Sequence, residues 1–261
     1  MTVDGSPSTH VTLEYQNRHV ALVTLDHPPA NTLSWESRQA LIRILDELDA
    51  DPEVRCLVIT GAGPRFTAGA NLREDQAMSD DQLEAFLGDF DRILTGIEGF
   101  RAPVIAAING ATIGGGLEFA MACDIRTASS EAFFVAAGVN VGLIANFWRL
   151  ARITGLGPAK EILLTGDRYT AEQALTWGLV TEVHPPDALL PAALAKAERI
   201  ATRAPLSVEA TKRCVNVALD LEREPARALQ VENFLAMFRT EDHKEALAAF
   251  FERRHGNYQR R

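Results

Sequence analysis

Cysteine is scarce in this sequence. Its 261 residues contain three, at Cys56, Cys123 and Cys214, with no CxxC pair. An odd number at wide spacing speaks against a disulfide framework and a structural zinc site. Such cysteines are expected as small buried hydrophobes in a reduced, cytoplasmic setting. Positive charge is also short: 26 Lys+Arg against 35 Asp+Glu leave a net charge of −9. That argues against a general nucleic-acid binder, which needs a basic face. Met1 to His10 has neither a positive n-region nor an apolar h-region, so no signal peptide is expected there. The six histidines lack metal-ligand spacing, and no metal site is expected. No GxSxG elbow is present, which removes the usual serine-hydrolase arrangement. Gly61-Ala62-Gly63-Pro64 lacks the Lys-Ser/Thr of a P-loop, and Gly114-Gly115-Gly116 lacks GxGxxG spacing.

What is present is an ordinary globular composition, 47% hydrophobic and 23% charged. One stretch stands apart. Ala102 to Leu117 carries no charge, and then Glu118 appears, followed by apolar residues to Cys123. Pro103, Asn109 and four glycines (Gly110, Gly114, Gly115, Gly116) break this stretch. A membrane span is therefore not expected; a buried strand, a glycine turn and a buried helix fit better.

The hydrophobic periodicity organises the rest. His10–Gln16 and His19–Leu25 read as a hairpin turning at Asn17-Arg18. Ser34 reads as the N-cap of a helix to about Leu48. Val54–Thr60 and Val104–Ile108 read as buried strands, Ile125–Ala128 and Ala132–Val135 as short ones. Asp81–Ile97 and Leu117–Ala122 read as helices. Strands alternating with helices predict an α/β core with parallel pairing. After about residue 144 the pattern turns mostly helical: 157–164, 171–177, 189–204, 207–221, 225–238 and 241–254, with one more strand at 180–184. The predicted organisation is a core over 1–195 and a helical region over 196–261.

Two segments share a chemical logic. Phe66-Thr67-Ala68-Gly69-Ala70-Asn71-Leu72 follows a strand with small residues, which let a ligand approach the backbone. Asn109 to Glu118 places its glycines where a helix begins, and N–H groups there have no partner within the helix. Such groups, with the helix dipole behind them, favour developing negative charge. One N–H from each segment can grip the same carbonyl oxygen. Glu118 lies about one helical turn after Gly115 and can face the same cavity. Desolvation raises the pKa of a carboxylate in such a cavity, which suits general acid/base work near neutral pH.

On these motifs the chain resembles the crotonase superfamily of enoyl-CoA hydratases and isomerases. The matching stretches are Pro28–Leu33, Gly61–Leu72, Pro103–Ile125, Leu164–Arg168, Ala171–Val180, Ala204–Lys212 and Phe238–Arg254. The resemblance implies repeated ββα units forming a spiral, with a helical C-terminal region that assembles trimers or hexamers. It implies an acyl-CoA thioester as ligand, so that coenzyme A enters with the substrate and no separate cofactor is needed. It places an oxyanion hole on the N–H groups of Ala68 and Gly115, with Glu118 as the acid/base. Ala30, Ala70, Asn71, Leu72, Ile113, Gly114 and Val141 would line the ligand. Phe250 and Arg253 fall where the family meets the CoA moiety, and Arg253 opens a stretch of four arginines to Arg261.

The resemblance also has gaps. Counting from Glu118, the place of the hydratases' second glutamate is taken by Gly138. The turn after it, Ile144-Ala145-Asn146-Phe147-Trp148-Arg149, is about three residues short. Asn71 stands where an aspartate is frequent. Asn140 and Asn146 become the candidates for positioning a water, and Trp148 is read as helix packing or as part of the acyl pocket. The expected function is hydration or dehydration of an enoyl-CoA. Isomerisation, thioester hydrolysis, decarboxylation and non-catalytic acyl-CoA binding are the alternatives.

Overall fold

The computed structural model describes residues 10–71, 76 and 78–261. The chain opens with the antiparallel hairpin β1 (Val11–Asn17) and β2 (Val20–Leu25), whose turn falls at Arg18-His19. α1 (Trp35–Ala50) follows, capped by the Ser34 hydroxyl, which accepts from the Ser37 N–H. Then one pattern repeats. β3 (Cys56–Gly61) and β4 (Arg65–Thr67) lead to α2 (Asp80–Gly99), and β5 (Val104–Ile108) and β6 (Ala111–Ile113) lead to α3 (Gly115–Ala122). β7 (Ile125–Ser129) and β8 (Phe133–Val135) lead through a 3₁₀ turn (Ala137–Val141) to α4 (Phe147–Thr154).

Each repeat places one strand in each of two sheets. The larger sheet runs β1-β2-β3-β5-β7-β10, where β10 is Glu182–His184, and every pair beyond the hairpin is parallel. The smaller sheet runs β4-β6-β8-β9, with β9 at Tyr169–Thr170. This is the mixed α/β, ββα architecture expected of the sequence. The short strands β4, β6 and β9 and the helix α4 lie outside the sequence-based expectations. Two or three residues are too few to show a period.

The central strands β2, β3 and β5 are covered on both faces and are accordingly almost wholly apolar. On one face Leu57, Ile59, Val104, Ala106 and Ile108 pack with α1 and α2 residues such as Leu41, Leu45, Ile93 and Ile97. On the other, Val20, Leu22, Cys56, Val58, Ile105 and Ala107 meet α7. α7 (Pro186–Ala201) supplies Leu189, Ala193, Ala197 and Ala201, a stripe at every fourth residue. The boundary expected at 195/196 lies within this helix.

α5 (Leu156–Thr165) and α6 (Ala171–Thr176) precede β10, and three helices follow α7: α8 (Pro205–Val217), α9 (Arg223–Phe238) and α10 (Glu241–Glu252). α8 is tied to the core by Lys212, whose ammonium meets the Asp124 carboxylate at 2.7 Å and the carbonyls of Ile97 and Ala102. α9 buries none of its residues. Phe234, Phe238, Phe250 and Phe251 are all exposed. Among the described residues no helix is long and apolar enough to cross a membrane.

Candidate active site

The loop after β4 and the turn before α3 meet backbone to backbone. A β-carbon on Gly69 would lie 2.6 Å from Gly115 Cα and 2.6 Å from the Gly116 nitrogen. One on Gly116 would lie 2.0 Å from the Thr67 carbonyl oxygen. Gly69 also holds φ at +72°, a conformation that L side chains rarely adopt. The two segments singled out in the sequence therefore form one wall. The glycines permit that contact, and Phe90 of α2 packs beneath it, 2.9 Å from a β-carbon built on Gly115.

The Ala30 segment is fastened to the same wall. The Ala68 N–H donates to the Ala30 carbonyl at 3.0 Å, and the Leu33 N–H donates to the Gly69 carbonyl at 2.8 Å. The Thr67 hydroxyl donates to the Asn31 carbonyl at 2.6 Å. Asn31 is buried, and its carboxamide donates to the carbonyls of Ala62 and Arg65. Asn31 and Thr67 were missed as organisers of the site. Their signal, a single polar residue within a short matching stretch, is weak without coordinates.

Gly115 is the first residue of α3, and its N–H has no acceptor among the described residues. It is an uncommitted donor at a helix N-terminus. The Ala68 N–H differs, since it must leave or share the Ala30 carbonyl to meet a ligand oxygen. Ala30, Ala68, Ala70, Asn71, Ile113, Gly114, Gly115 and Glu118 are all partly exposed, while Thr67, Gly69 and Gly116 behind them are buried. Leu72 lies outside the described residues. Val141, in the 3₁₀ turn, is exposed. That turn approaches the wall at Ala137, 3.7 Å from a β-carbon on Gly114.

Glu118 sits in the first turn of α3 and is largely buried. Its Oε1 accepts the Asn146 N–H at 3.0 Å. Burial pushes its carboxyl above the usual glutamate range, against the Asn146 N–H, the positive Arg149 and the Asn146 carboxamide, which all favour the charged form. Arg149 is buried in turn and grips Glu98 with two hydrogen bonds of 2.5 and 2.8 Å. Asn146 also caps α4, its side chain accepting from the Arg149 N–H. Asn140 faces elsewhere, donating to the Gly166 carbonyl at 2.8 Å. Trp148 is half-exposed and stacks on Arg149, with 4.3 Å from guanidinium carbon to ring centroid.

Gly138 stands at the position where the sequence resemblance implies a second glutamate in hydratases. A β-carbon there would stand 2.8 Å from the Ala145 nitrogen and 2.9 Å from the Leu143 carbonyl oxygen. The backbone of 143–145 fills that space.

Phe250 and Arg253 are exposed at the end of α10, and neither is hydrogen bonded to the Ala68–Gly115 wall. The neighbouring arginines are engaged: Arg254 with Glu245, Arg260 with Glu209, and Arg261 with Glu241. The basic stretch is thus largely neutralised within the chain. Cys56 and Cys123 are buried and their thiols are pushed up to about 12, as befits inert core residues. A cavity of about 1010 Å³ between α3, α4 and α8, lined by Asp124, Trp148, Arg149 and Lys212 among others, contains none of Ala68, Gly115 or Glu118.

Comparison with known proteins agrees with this architecture. The sequence model of the enoyl-CoA hydratase/isomerase family matches residues 15–261. A short-chain-enoyl-CoA hydratase of Clostridium acetobutylicum is 36% identical over 94% of this chain and 95% of its own length. An (E)-benzylidenesuccinyl-CoA hydratase of Thauera aromatica is 40% identical over 94% of this chain and 96% of its own. The crystal structure of an enoyl-CoA hydratase from Bacillus anthracis superposes with a TM-score of 0.94 at 31% identity, covering 97% of this chain and all of that one. The chain belongs to the enoyl-CoA hydratase/isomerase family, within the crotonase superfamily.

Proposed function

We propose that the protein hydrates the double bond of a 2-enoyl-CoA thioester, or catalyses the reverse, with Glu118 as its acid/base. The observation that carries this reading is a largely buried carboxylate one turn along α3 from the uncommitted Gly115 N–H. The Gly115 N–H, joined by that of Ala68 once it turns from Ala30, holds the thioester oxygen. Ionised Glu118 takes a proton from water as the water oxygen bonds to the β-carbon. The electron pair of the double bond moves toward the thioester oxygen, where the N–H groups stabilise the enolate. The α-carbon then takes a proton, and the thioester carbonyl re-forms. With Gly138 in the place of a second glutamate, Glu118 returns the proton it received.

Ala30, Ala70, Asn71, Ile113, Gly114 and Val141 belong to the binding surface in this reading. Coenzyme A arrives as part of the substrate. The exposed Phe234, Phe238, Phe250 and Phe251 support assembly with further copies as a trimer or hexamer, since apolar patches of this kind mark interaction surfaces. In the same reading Phe250 and Arg253 meet CoA in the assembled protein, and the role proposed is a cytoplasmic one in fatty-acid or related acyl-CoA metabolism. The test is purified protein with short and long 2-enoyl-CoA substrates, followed by loss of the conjugated thioester absorbance. Turnover at the rate of a Glu118→Ala control sinks the reading. Isomerisation, hydrolysis and decarboxylation use the same hole and are separated by product mass.

A further inference from the structure

Three features converge on the segment just before α4. The backbone of 143–145 occupies the room into which a side chain at Gly138 would project. The next residue, Asn146, points its N–H at Glu118 Oε1 from 28 residues away along the chain. Asn146 is itself held in place, because its side chain caps α4 and α4 is anchored through Arg149 to Glu98. Among the described residues, no hydrogen bond reaches the Glu118 carboxylate from another carboxyl group or from a cation.

We infer that Asn146 is a positioning residue for Glu118: its backbone N–H holds the carboxylate, and its uncharged side chain leaves Glu118 to titrate as a single acid/base. This rests on the proposed role of Glu118. The chemistry of the contact fits it: a backbone N–H orients a carboxylate without competing for its proton, and a carboxamide at the same residue adds no second titration. Two carboxyl groups in one site share their protons and titrate in coupled steps. The charged groups facing Glu118 are Arg149 from α4 and, through Arg149, Glu98 from α2. Neither is substituted when Asn146 is changed.

The test compares Asn146→Asp with Asn146→Ser. Both residues are good N-caps, so a purely capping role predicts that they behave alike. The readout is the titration of the Glu118 carboxyl carbon by ¹³C NMR, assigned with Glu118→Gln, alongside the pH profile of kcat on a 2-enoyl-CoA. Asn146→Asp is expected to move the Glu118 midpoint upward by about one pH unit or more, through like-charge repulsion. The titration is expected to become two-step, and the acid limb of kcat to move with it. Asn146→Ser is expected to keep one step and a midpoint close to that of the wild type. An unchanged single midpoint in both variants overturns the inference. A wild type that turns over no 2-enoyl-CoA defeats the hydratase reading instead, and the NMR titration still decides the role of Asn146.

Discussion

Gly69 lies against Gly115 so closely that a β-carbon on Gly69 would fall 2.6 Å from the Gly115 Cα. This contact joins the loop after β4 to the start of α3 and sets where the Gly115 N–H points. Gly69→Ala is expected to force the two segments apart and to strain φ at +72°. The expected cost is about 2 kcal/mol or more of stability and about 100-fold in kcat. Urea denaturation and steady-state rates check both. A variant with wild-type stability and rate contradicts the assigned contact.

Gly138→Glu places a carboxylate at this position, yet backbone atoms of 143–145 stand within about 3 Å of its β-carbon. Overpacking of this kind costs about 1–3 kcal/mol. The variant is expected to be destabilised and no more active than the wild type. A rise in kcat would show that the space can open.

Much of this site was legible in the sequence, for identifiable reasons. Gly114-Gly115-Gly116 and Glu118 sit in a long charge-free run, and a lone carboxylate there is conspicuous. The buried strands and amphipathic helices carry their period over five or more residues. The Asn146–Glu118 bond was not legible, because a backbone donor leaves no mark on residue type. The Ala68–Ala30 bond escaped for the same reason. α4 escaped because its eight residues include two buried positions, Arg149 and Leu150, too few to show a period.

Arg149 favours the charged form of Glu118. Arg149→Met removes that charge, so the Glu118 pKa should rise and the acid limb of kcat should move to higher pH. Arg149→Lys keeps a positive charge and should move the limb less. A limb at the same pH in all three proteins would show that Arg149 does not act on Glu118.

The elevated pKa of Glu118 also fixes how stability responds to pH. A carboxyl with a higher pKa folded than unfolded costs stability as pH rises from the unfolded value through the folded one, and the cost is constant above that. Glu118→Gln removes the ionisation. The variant should unfold at a higher temperature than the wild type at neutral pH, and the difference should vanish below about pH 4. Scanning calorimetry at several pH values reads this. A variant less stable at neutral pH than at pH 4, relative to wild type, would reverse the sign.

The central claim is that one carboxylate does the acid/base work at an N–H-lined thioester site. Its most direct test is the turnover of 2-enoyl-CoA by Glu118→Gln, which keeps the side-chain shape and loses the base. The account predicts a fall in kcat of about 100-fold or more with the acyl-CoA still bound. A variant that hydrates at the wild-type rate would contradict it.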